Sequence, residues 1–441
     1  MRRWIVVVAV VGLLGGAVSL GIGRWLHAPD ADVLAVTTSD PSLSQTSPVE
    51  GTNPASNVPG IAGLDLTRVA FAQAAVTAPA AESRVATLTL DAELQHTADA
   101  LMQAHRLPEA GIVMIDNETG DVLVYASHID KGPPRDFCAE ATAPAASVFK
   151  IVTSAALVED AHLTPDTNQC YSGGAERVSE RDLVDDPHRD KWCATLAGAM
   201  GRSINTIFAR LAQQNLTPRQ LEDMARRFGF GEPVPFDVPV QPSSIHVPLE
   251  PLEFARTAAG FWNTTLSPLE AAWMSSTVAR GGEALRPSIV RDVKDAAGTL
   301  LYSPPHSPVV RRFIAQETAQ ALTSMMEHTI SEGTSYRAFH DERGHAFLPD
   351  IPVAGKTGTL TDQQSNKYYS WFTGFAPSHA TANTSLRSVS VAVLIINQPN
   401  WQVKANVIAR DMLRAYFAAE NAPRVTKPSP TSIARHHKAT E

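Results

Sequence analysis

The stretch that decides the fold is Pro144-Ala145-Ala146-Ser147-Val148-Phe149-Lys150, which runs on into the apolar segment Ile151 to Leu157. Its beginning suits the start of a helix, and the apolar continuation is typical of a helix buried in a core. Side chains three positions apart share one face of a helix, so the Lys150 amine can reach the Ser147 hydroxyl. A serine hydroxyl is a weak nucleophile until a neighbouring base takes its proton. The stretch therefore predicts a nucleophilic serine with a lysine base.

The Ser147–Lys150 pair is not specific by itself, because a chain of average composition contains about one Ser-x-x-Lys by chance. Ser203-Ile204-Asn205 follows an apolar helical segment at 194–200 and offers one hydroxyl and one amide. Lys356-Thr357-Gly358-Thr359 follows Val353-Ala354-Gly355, a strand-like entry in which Gly358 would leave the backbone open to a substrate. Lys-Thr-Gly is the more specific of these two motifs, with roughly a tenth of an occurrence expected by chance. Three polar motifs in series point to a catalytic site.

Hydrophobic patterns around the motifs predict an α+β fold. The predicted elements are, in order, a strand at 85–90, a helix at 91–105, a hairpin at 111–126, a long helical middle, strands at 371–375 and 389–396, and a closing helix at 403–419. Strands from both ends of this region would form one sheet around the helical insertion.

The three motifs, in this order and at these spacings, resemble the serine, second-serine and lysine motifs of penicillin-binding transpeptidases and serine β-lactamases. The similarity extends over residues 85–418. It includes the segments Leu88 to Gln95, Gly120 to Ser127, Thr264 to Ala272, Arg280 to Pro287 and Trp371 to Pro377. The resemblance implies an antiparallel sheet flanked by a helical subdomain, and it is greatest to the monofunctional cross-linking proteins of this family.

The resemblance implies a role for each matching catalytic side chain. Ser147 would attack the D-alanyl-D-alanine carbonyl of a peptidoglycan stem peptide, and Lys150 would accept its proton. Ser203 would relay a proton to the leaving D-alanine. An amine of a second stem peptide would then resolve the acyl-enzyme and form a cross-link. β-Lactams would be covalent inhibitors of the same serine.

The resemblance also implies a set of substrate-binding residues, namely Asn205, Lys356, Thr357, Gly358 and Thr359. Asn205 would hold the peptide amide and would also touch Lys150. Lys356, together with Thr357 and Thr359, would bind the substrate carboxylate. The backbone N–H groups of Ser147 and Thr359 would form the oxyanion hole.

Three segments bear on how closely the chain follows the family. Typical monofunctional members carry a pedestal domain between membrane anchor and transpeptidase, whereas only residues 26–84 are available here, and no glycosyltransferase region is seen. Gly260-Phe261-Trp262-Asn263 stands where relatives often have a Gly-Gln-Gly run. Glu332-Gly333-Thr334 is expected near the lysine motif, where it would shape the substrate groove.

Two other functional classes stay open alongside the transpeptidase. A β-lactamase or a D,D-carboxypeptidase would share the acylation apparatus but pass the acyl group to water. A non-catalytic sensor or scaffold would bind β-lactam or stem peptide without turnover. Asn205 argues against the β-lactamase class that carries a carboxylated lysine, since a hydrophobic residue usually fills that place. The middle of the chain contains no Glu-x-x-x-Asn run to supply the deacylating base of the commonest other class.

At the N-terminus, Trp4 to Gly23 is an apolar stretch in which Ser19 is the only polar side chain, and Arg2 and Arg3 precede it. About 20 apolar residues match the hydrocarbon core of a bilayer. The flanking charges leave the N-terminus cytoplasmic and the remainder outside. We therefore predict a single-pass inner-membrane anchor with a periplasmic or otherwise extracytoplasmic catalytic domain. The alternative is a signal peptide cleaved near Ala17-Val18-Ser19, and the body is exported in either case.

Composition divides the chain into four segments. Residues 1–25 are predicted to be a cytoplasmic tip and transmembrane anchor. Residues 26–84, rich in Ala, Pro, Ser and Thr, are predicted to be a flexible tether, interrupted by an amphipathic patch at 61–75. Residues 85–420 form the predicted transpeptidase domain, and 421–441 form a predicted disordered tail.

The net charge and the cysteine content limit the partners, the compartment and the cofactors that we expect. A net charge of −8 and a pI near 6.0 leave no basic excess to neutralise phosphates, so nucleic acid is not an expected partner. Three cysteines fit an oxidising compartment. Cys170 and Cys193 are the favoured disulfide pair, with Cys138 left over, and the alternative is three buried thiols. The cysteine spacing is not that of a metal site, and no cofactor is expected. The implied partners are stem peptides, β-lactams, the inner membrane and the cell-wall synthesis machinery.

Overall fold

The computed structural model describes residues 61–72, 75–174, 177–305, 308–380 and 386–420. The predicted membrane anchor, most of the predicted tether and the predicted tail lie outside the described residues. Within these ranges, no helix has both the length and the apolar character needed to cross a membrane.

Helices and strands are interleaved along the described chain. The helices are α1 (Ala92–Ala104), α2 (Lys150–Glu159), α3 (Leu196–Arg202), α4 (Asn205–Asn215), α5 (Pro218–Arg227), α6 (Pro251–Ala258), α7 (Pro268–Ala279), α8 (Gln316–Ser331), α9 (Tyr336–Phe339) and α10 (Ala405–Glu420). The strands are β1 (Ala70–Phe71), β2 (Val76–Ala80), β3 (Arg84–Leu88), β4 (Glu109–Asp116), β5 (Val122–Ile129), β6 (Ala143–Pro144), β7 (Asn168–Tyr171), β8 (Trp192–Thr195), β9 (Thr265–Leu266), β10 (Glu283–Leu285), β11 (Val290–Lys294), β12 (Leu300–Tyr302), β13 (Val309–Arg312), β14 (Ala354–Asp362), β15 (Lys367–Ala376) and β16 (Val389–Asn397).

A five-stranded antiparallel sheet in the order β14-β15-β16-β4-β5 joins strands from both ends of the predicted domain. β4 and β5 form the predicted hairpin, in which Ile112 lies opposite Ala126. β15 and β16 contain the two later predicted strands, and α1 and α10 occupy the positions of the predicted helices. The predicted α+β order is therefore confirmed. The lysine motif lies on β14, at the edge of this sheet.

The sheet is buried on both faces, which explains why its strands are almost continuously hydrophobic. On β4, Val113 and Ile115 belong to the core that includes α7, whereas Ile112 and Met114 belong to the core beneath α1 and α10. Alternate residues of a strand point to opposite faces, so the same strand serves both cores. This double burial makes the sheet a firm frame for the motif on β14.

The prediction of a flexible tether is wrong for the described part of residues 61–84. β2 pairs with β3, and β3 pairs with β11, within a second sheet of order β1-β2-β3-β11-β12. Val76 and Ala78 of β2 are buried, at 3% and 2% exposure. A short Ala- and Pro-rich segment buries too little apolar area to order by itself. Here the backbone hydrogen bonds to β3 and the burial of alternate side chains supply the missing stabilisation.

The helical region between β5 and β14 contains the first two motifs. Every residue of α2 from Lys150 to Leu157 is buried, so α2 is a core helix. α3 ends at Arg202 and α4 begins at Asn205. Ser203 lies between them with a left-handed backbone (φ 57°), which allows the chain to turn from one helix into the next. The second motif is thus a tight junction between two helices.

Cys170 and Cys193, the pair favoured by the sequence, form a disulfide between the paired strands β7 and β8. The fully buried Arg210 of α4 donates to the Cys170 carbonyl at 2.8 Å and to Asp190 at 2.7 Å. The disulfide-linked hairpin is therefore fastened to the helix that begins with the asparagine of the second motif.

Burial raises the pKa of the free Cys138 thiol far above its usual range, so this cysteine stays protonated at neutral pH.

Candidate active site

Ser147 lies in a 3-10 turn, Ala146–Phe149, that leads directly into α2, whose first residue is Lys150. The indole N–H of Trp371 donates to the Pro144 carbonyl at 2.9 Å, which ties the start of this turn to the central sheet. Ser147 is 6% exposed and Lys150 is fully buried. The Lys150 Nζ lies 2.7 Å from the Ser147 Oγ. The first motif therefore forms the serine–amine contact that its spacing predicted.

Oxygen atoms of uncharged groups surround the Lys150 amine. Nζ donates to the Asn205 Oδ1 and to the Ala259 carbonyl, each at 2.6 Å. Amide and peptide oxygens can only accept hydrogen bonds. When the amine is neutral it has two N–H groups and one lone pair, and donation of both N–H groups to these two oxygens would leave the lone pair for the Ser147 hydroxyl, 2.7 Å away. The arrangement suits a general base.

The Ser203 hydroxyl lies between two buried lysines. Its Oγ is 3.4 Å from the Lys150 Nζ and 3.0 Å from the Lys356 Nζ. The left-handed backbone of Ser203 is uncommon for a residue with a side chain, and it aims the hydroxyl at both amines. A hydroxyl can donate one hydrogen bond and accept two, so Ser203 can pass a proton between neighbouring groups.

The lysine motif lies on an edge strand beside the Ser147 turn. Lys356 and Thr359 of β14 pair with Thr373 and Ser370 of β15. β14 ends the strand order of the central sheet. An edge strand offers backbone N–H and C=O groups to an extended peptide, and a fully buried lysine on it, such as Lys356, offers a cation to a carboxylate. Thr357 and Thr359 lie on one face of β14, since alternate residues of a strand share a face.

Gly358 allows β14 to approach the Ser147 turn closely. A Cβ atom at this position would lie 3.3 Å from the Ala146 Cβ and 3.3 Å from a methyl carbon of Val148. The sequence predicted that the glycine opens the backbone to a substrate. The structure relates it to packing within the protein, because a side chain would press on the turn that holds the nucleophile.

Ala259 and Gly260 belong to the site, but neither was among the predicted site residues. A Cβ atom at Gly260 (φ 83°) would lie 2.5 Å from the Ala146 carbonyl oxygen and 3.0 Å from the Ser147 Cα. Only glycine permits this approach, which brings the Ala259 carbonyl to Lys150. The signal in the sequence was the Gly260–Asn263 run, which stands where relatives often have a Gly-Gln-Gly run.

Thr334 connects the helix that leads to the second motif with the strand that carries the third. Its backbone N–H donates to the Gly201 carbonyl at 3.0 Å, and its hydroxyl oxygen lies 2.6 Å from the Thr357 hydroxyl oxygen. The segment predicted to lie near the lysine motif is therefore in direct contact with it.

Together these contacts bring five predicted residues into one cluster and place the other three along β14. The clustered residues are Ser147, Lys150, Ser203, Asn205 and Lys356, and those along the strand are Thr357, Gly358 and Thr359. A serine beside an amine, a second hydroxyl and a cation at a strand edge suit acyl transfer through a serine ester. Across the described ranges, no three His, Cys, Asp or Glu side chains are grouped so as to hold a metal ion.

Residues 110–412 match the family described as the penicillin binding protein transpeptidase domain. The match covers more than half of the chain and includes all three motifs. The chain therefore belongs to the penicillin-binding protein transpeptidase family, and the fold predicted from the motifs is confirmed.

Two curated relatives illustrate the similarity. Stage V sporulation protein D of Bacillus subtilis is 26% identical over 315 residues, which are 66% of this chain and 47% of that protein. The peptidoglycan D,D-transpeptidase PbpA of Mycobacterium tuberculosis is 27% identical over 270 residues, which are 58% of this chain and 50% of that protein. The chain spans about half the length of the curated relatives it matches.

Solved structures show the same fold. The D,D-transpeptidase domain of a peptidoglycan glycosyltransferase from Eggerthella lenta superimposes with a TM-score of 0.62 at 25% identity, over 76% of this chain and 83% of that one. Penicillin-binding protein A from Mycobacterium tuberculosis, as a ceftriaxone acyl-enzyme complex, has a TM-score of 0.58 at 22% identity, over 76% and 80%.

Proposed function

We propose that this chain is a peptidoglycan D,D-transpeptidase that works through a Ser147 acyl-enzyme and is covalently inhibited by β-lactams. The observation that carries the proposal is the Ser147–Lys150 contact of 2.7 Å, with Ser203 lying between Lys150 and Lys356. Membership of the transpeptidase family supports it, as does the name of a relative, peptidoglycan D,D-transpeptidase.

In the first half-reaction, the Ser147 Oγ attacks the carbonyl carbon between the two terminal D-alanines of a donor stem peptide. The Lys150 amine takes the serine proton as the new C–O bond forms. The backbone N–H groups of Ser147 and Thr359 stabilise the oxyanion of the tetrahedral intermediate. The C–N bond then breaks, and the leaving D-alanine amine receives a proton by way of Ser203. The product of this half-reaction is an ester on Ser147.

In the second half-reaction, an amine of an acceptor stem peptide attacks the ester carbonyl and gives its proton to the catalytic amine. The C–O bond to Ser147 breaks and the serine hydroxyl is restored. The donor is held by the Asn205 amide at its backbone and by Lys356, with Thr357 and Thr359, at its terminal carboxylate. Attack by water on the same ester would make the chain a D,D-carboxypeptidase or, with a β-lactam, a β-lactamase.

The location that we propose is the outer side of the inner membrane, anchored through residues 4–23. The disulfide between Cys170 and Cys193 supports an oxidising compartment. Cell-wall substrates lie on the same side.

Labelling with a fluorescent penicillin tests the central claim. The wild-type protein should form a stable adduct on Ser147, and Ser147→Ala should form none. Supplying a donor peptide that ends in D-alanyl-D-alanine, with a D-amino acid or with water alone, then shows where the acyl group goes. Fast release of the acyl group to water would show that the chain is a hydrolase and not a transpeptidase. Labelling that survives in Ser147→Ala would show that Ser147 is not the nucleophile. An unlabelled wild type would end the proposal altogether.

A further inference from the structure

A short segment outside the three motifs, Glu332–Ser335, joins the helix that leads to the second motif to the strand that carries the third. The Thr334 N–H donates to the carbonyl of Gly201, two residues before Ser203. The Thr334 hydroxyl oxygen lies 2.6 Å from the hydroxyl oxygen of Thr357. One residue thus contacts both the helix that leads to Ser203 and the strand that carries the lysine motif.

The backbone of this segment is held without help from the Thr334 hydroxyl. The Ser335 N–H donates to the Thr329 carbonyl at 2.9 Å, and Asn406 of α10 donates to the Ser335 Oγ at 3.2 Å. A Cβ atom at Gly333 would lie 2.1 Å from the Gly201 oxygen, so the close approach of the two segments depends on glycine. Removing the Thr334 hydroxyl alone should therefore leave the segment in place.

The number of protons on each group decides which of the two threonine hydroxyls is the hydrogen-bond donor when a substrate is bound. A hydroxyl has one proton and two lone pairs, and a carboxylate only accepts hydrogen bonds. Thr357 must therefore give its single proton to a bound carboxylate, so the 2.6 Å contact requires Thr334 to be the donor. The rival acceptor for the Thr334 proton is the Gly201 carbonyl, which lies 3.4 Å from the hydroxyl and already accepts the Thr334 N–H.

We propose that Thr334 is a positioning residue that turns the Thr357 hydroxyl proton towards the carboxylate of the acyl donor. This inference rests on the proposed function, because it assumes that Thr357 binds the substrate carboxylate. Thr334 does not touch the substrate and acts only through Thr357. The pair makes recognition of a carboxylate depend on a residue that none of the three motifs contains.

The test is a double-mutant cycle on the rate constant for acylation of Ser147 by benzylpenicillin, followed by intact-protein mass. Thr334→Val should slow acylation roughly tenfold, the value of one hydrogen bond. Thr357→Val should slow it at least as much. The double variant should be no slower than Thr357→Val, because on this proposal the Thr334 hydroxyl affects the substrate only through Thr357. Thr334→Ser keeps the hydroxyl and should stay near the wild-type rate.

A matched control is available on α8. The Thr329 hydroxyl is buried and has no hydrogen-bond partner among the described residues, so Thr329→Val should acylate like the wild type. Melting temperatures check the fold, and Thr334→Ala is a second hydroxyl-free variant if Thr334→Val unfolds. A full further loss from Thr334→Val in the Thr357→Val background would overturn the proposal, as would a wild-type rate in Thr334→Val. A wild type that benzylpenicillin does not acylate would instead overturn the proposed function.

Discussion

Lys150 and Lys356 are two lysines with no exposed surface, and both approach the hydroxyl of Ser203, at 3.4 Å and 3.0 Å. The two lysines differ in the element that carries them and in the hydrogen-bond partners of their amines. Lys150 begins a core helix, and amide and peptide oxygens surround its amine next to the nucleophile. Lys356 lies on the edge strand of a sheet and donates to the neighbouring Thr357 carbonyl at 2.8 Å.

The difference shows how one side chain can perform two tasks within one cluster. A base must have a lone pair directed at the proton that it removes, and the two carbonyl oxygens beside Lys150 orient its amine in that way. An anchor for a carboxylate must keep its charge and face the place where an extended peptide lies. The contrast therefore predicts that substitutions preserving the charge will separate the two lysines.

Lys150→Arg should have the largest effect. Arginine stays protonated at all accessible pH values and cannot act as a base. Acylation of Ser147 by benzylpenicillin should fall by roughly 10²- to 10⁴-fold, the usual contribution of a general base. Rapid-quench mass spectrometry measures the rate. Lys294→Arg makes the same exchange at a half-exposed lysine of β11 and should have no effect. Acylation within tenfold of wild type in Lys150→Arg would contradict the assignment of the base.

Lys356 should respond to charge more than to basicity. Lys356→Arg keeps the cation and should weaken acylation roughly tenfold, whereas Lys356→Met should weaken it roughly a hundredfold through loss of a charged hydrogen bond. Stopped-flow measurements over a range of penicillin concentrations separate affinity from the acylation step, and the loss should lie mainly in affinity. Equal loss of acylation in Lys356→Arg and Lys356→Met would contradict the assignment of Lys356 as a residue that acts through its charge.

Glu270 should have the smallest effect on acylation. Its titration instead changes the stability of the fold with pH, and so limits the pH range in which the lysine variants can be compared. It is fully buried near the start of α7, where the Ser243 hydroxyl donates to it, and burial raises the pKa of its carboxyl to about 8 from 4.5. Between these values the folded state keeps a proton that the unfolded state has lost. The free energy of unfolding should therefore fall as pH rises from 4.5 to 8, by about 1.4 kcal/mol per pH unit.

Glu270→Gln should remove this slope and leave acylation at neutral pH unchanged, because glutamine does not titrate. Urea unfolding at several pH values between 5 and 8 measures the slope. Glu317→Gln, at an exposed position in the first turn of α8, is the matched control and should keep the wild-type slope. An unchanged slope in Glu270→Gln would mean that another group controls the alkaline loss of stability.

Long, strongly patterned elements could be predicted from the sequence, and short ones could not. The β4–β5 hairpin was predicted because two apolar runs flank a turn cluster, and α10 because its own pattern is helical; both signals lie within the segment. β2 was missed because Val76-Thr77-Ala78-Pro79-Ala80 has almost no strand signal of its own. It is ordered by pairing with β3, which is a tertiary effect.

Within the site, the catalytic side chains could be predicted, but the backbone carbonyl that contacts the base could not. The motif residues could be found because serine, lysine and asparagine at fixed spacings have a chemical meaning. The Ala259 carbonyl belongs to a residue whose side chain has no polar group, and it reaches Lys150 only because Gly260 packs against the Ser147 turn. Thr334 was placed near the lysine motif, but its contact with Gly201 depends on how α8 ends.

By itself, the sequence determined the kinds of groups available for catalysis, their order along the chain and the three-residue spacing that puts Lys150 beside Ser147. Only the tertiary structure decided that Ser203 lies between two lysines, that a backbone carbonyl orients the base, and that Thr334 connects the helix that leads to the second motif with the strand that carries the third. The reason is physical. Spacing within one helix follows from local geometry, whereas hydrogen bonds between residues far apart in sequence require positions correct to fractions of an ångström, and only the packing of whole elements sets those positions.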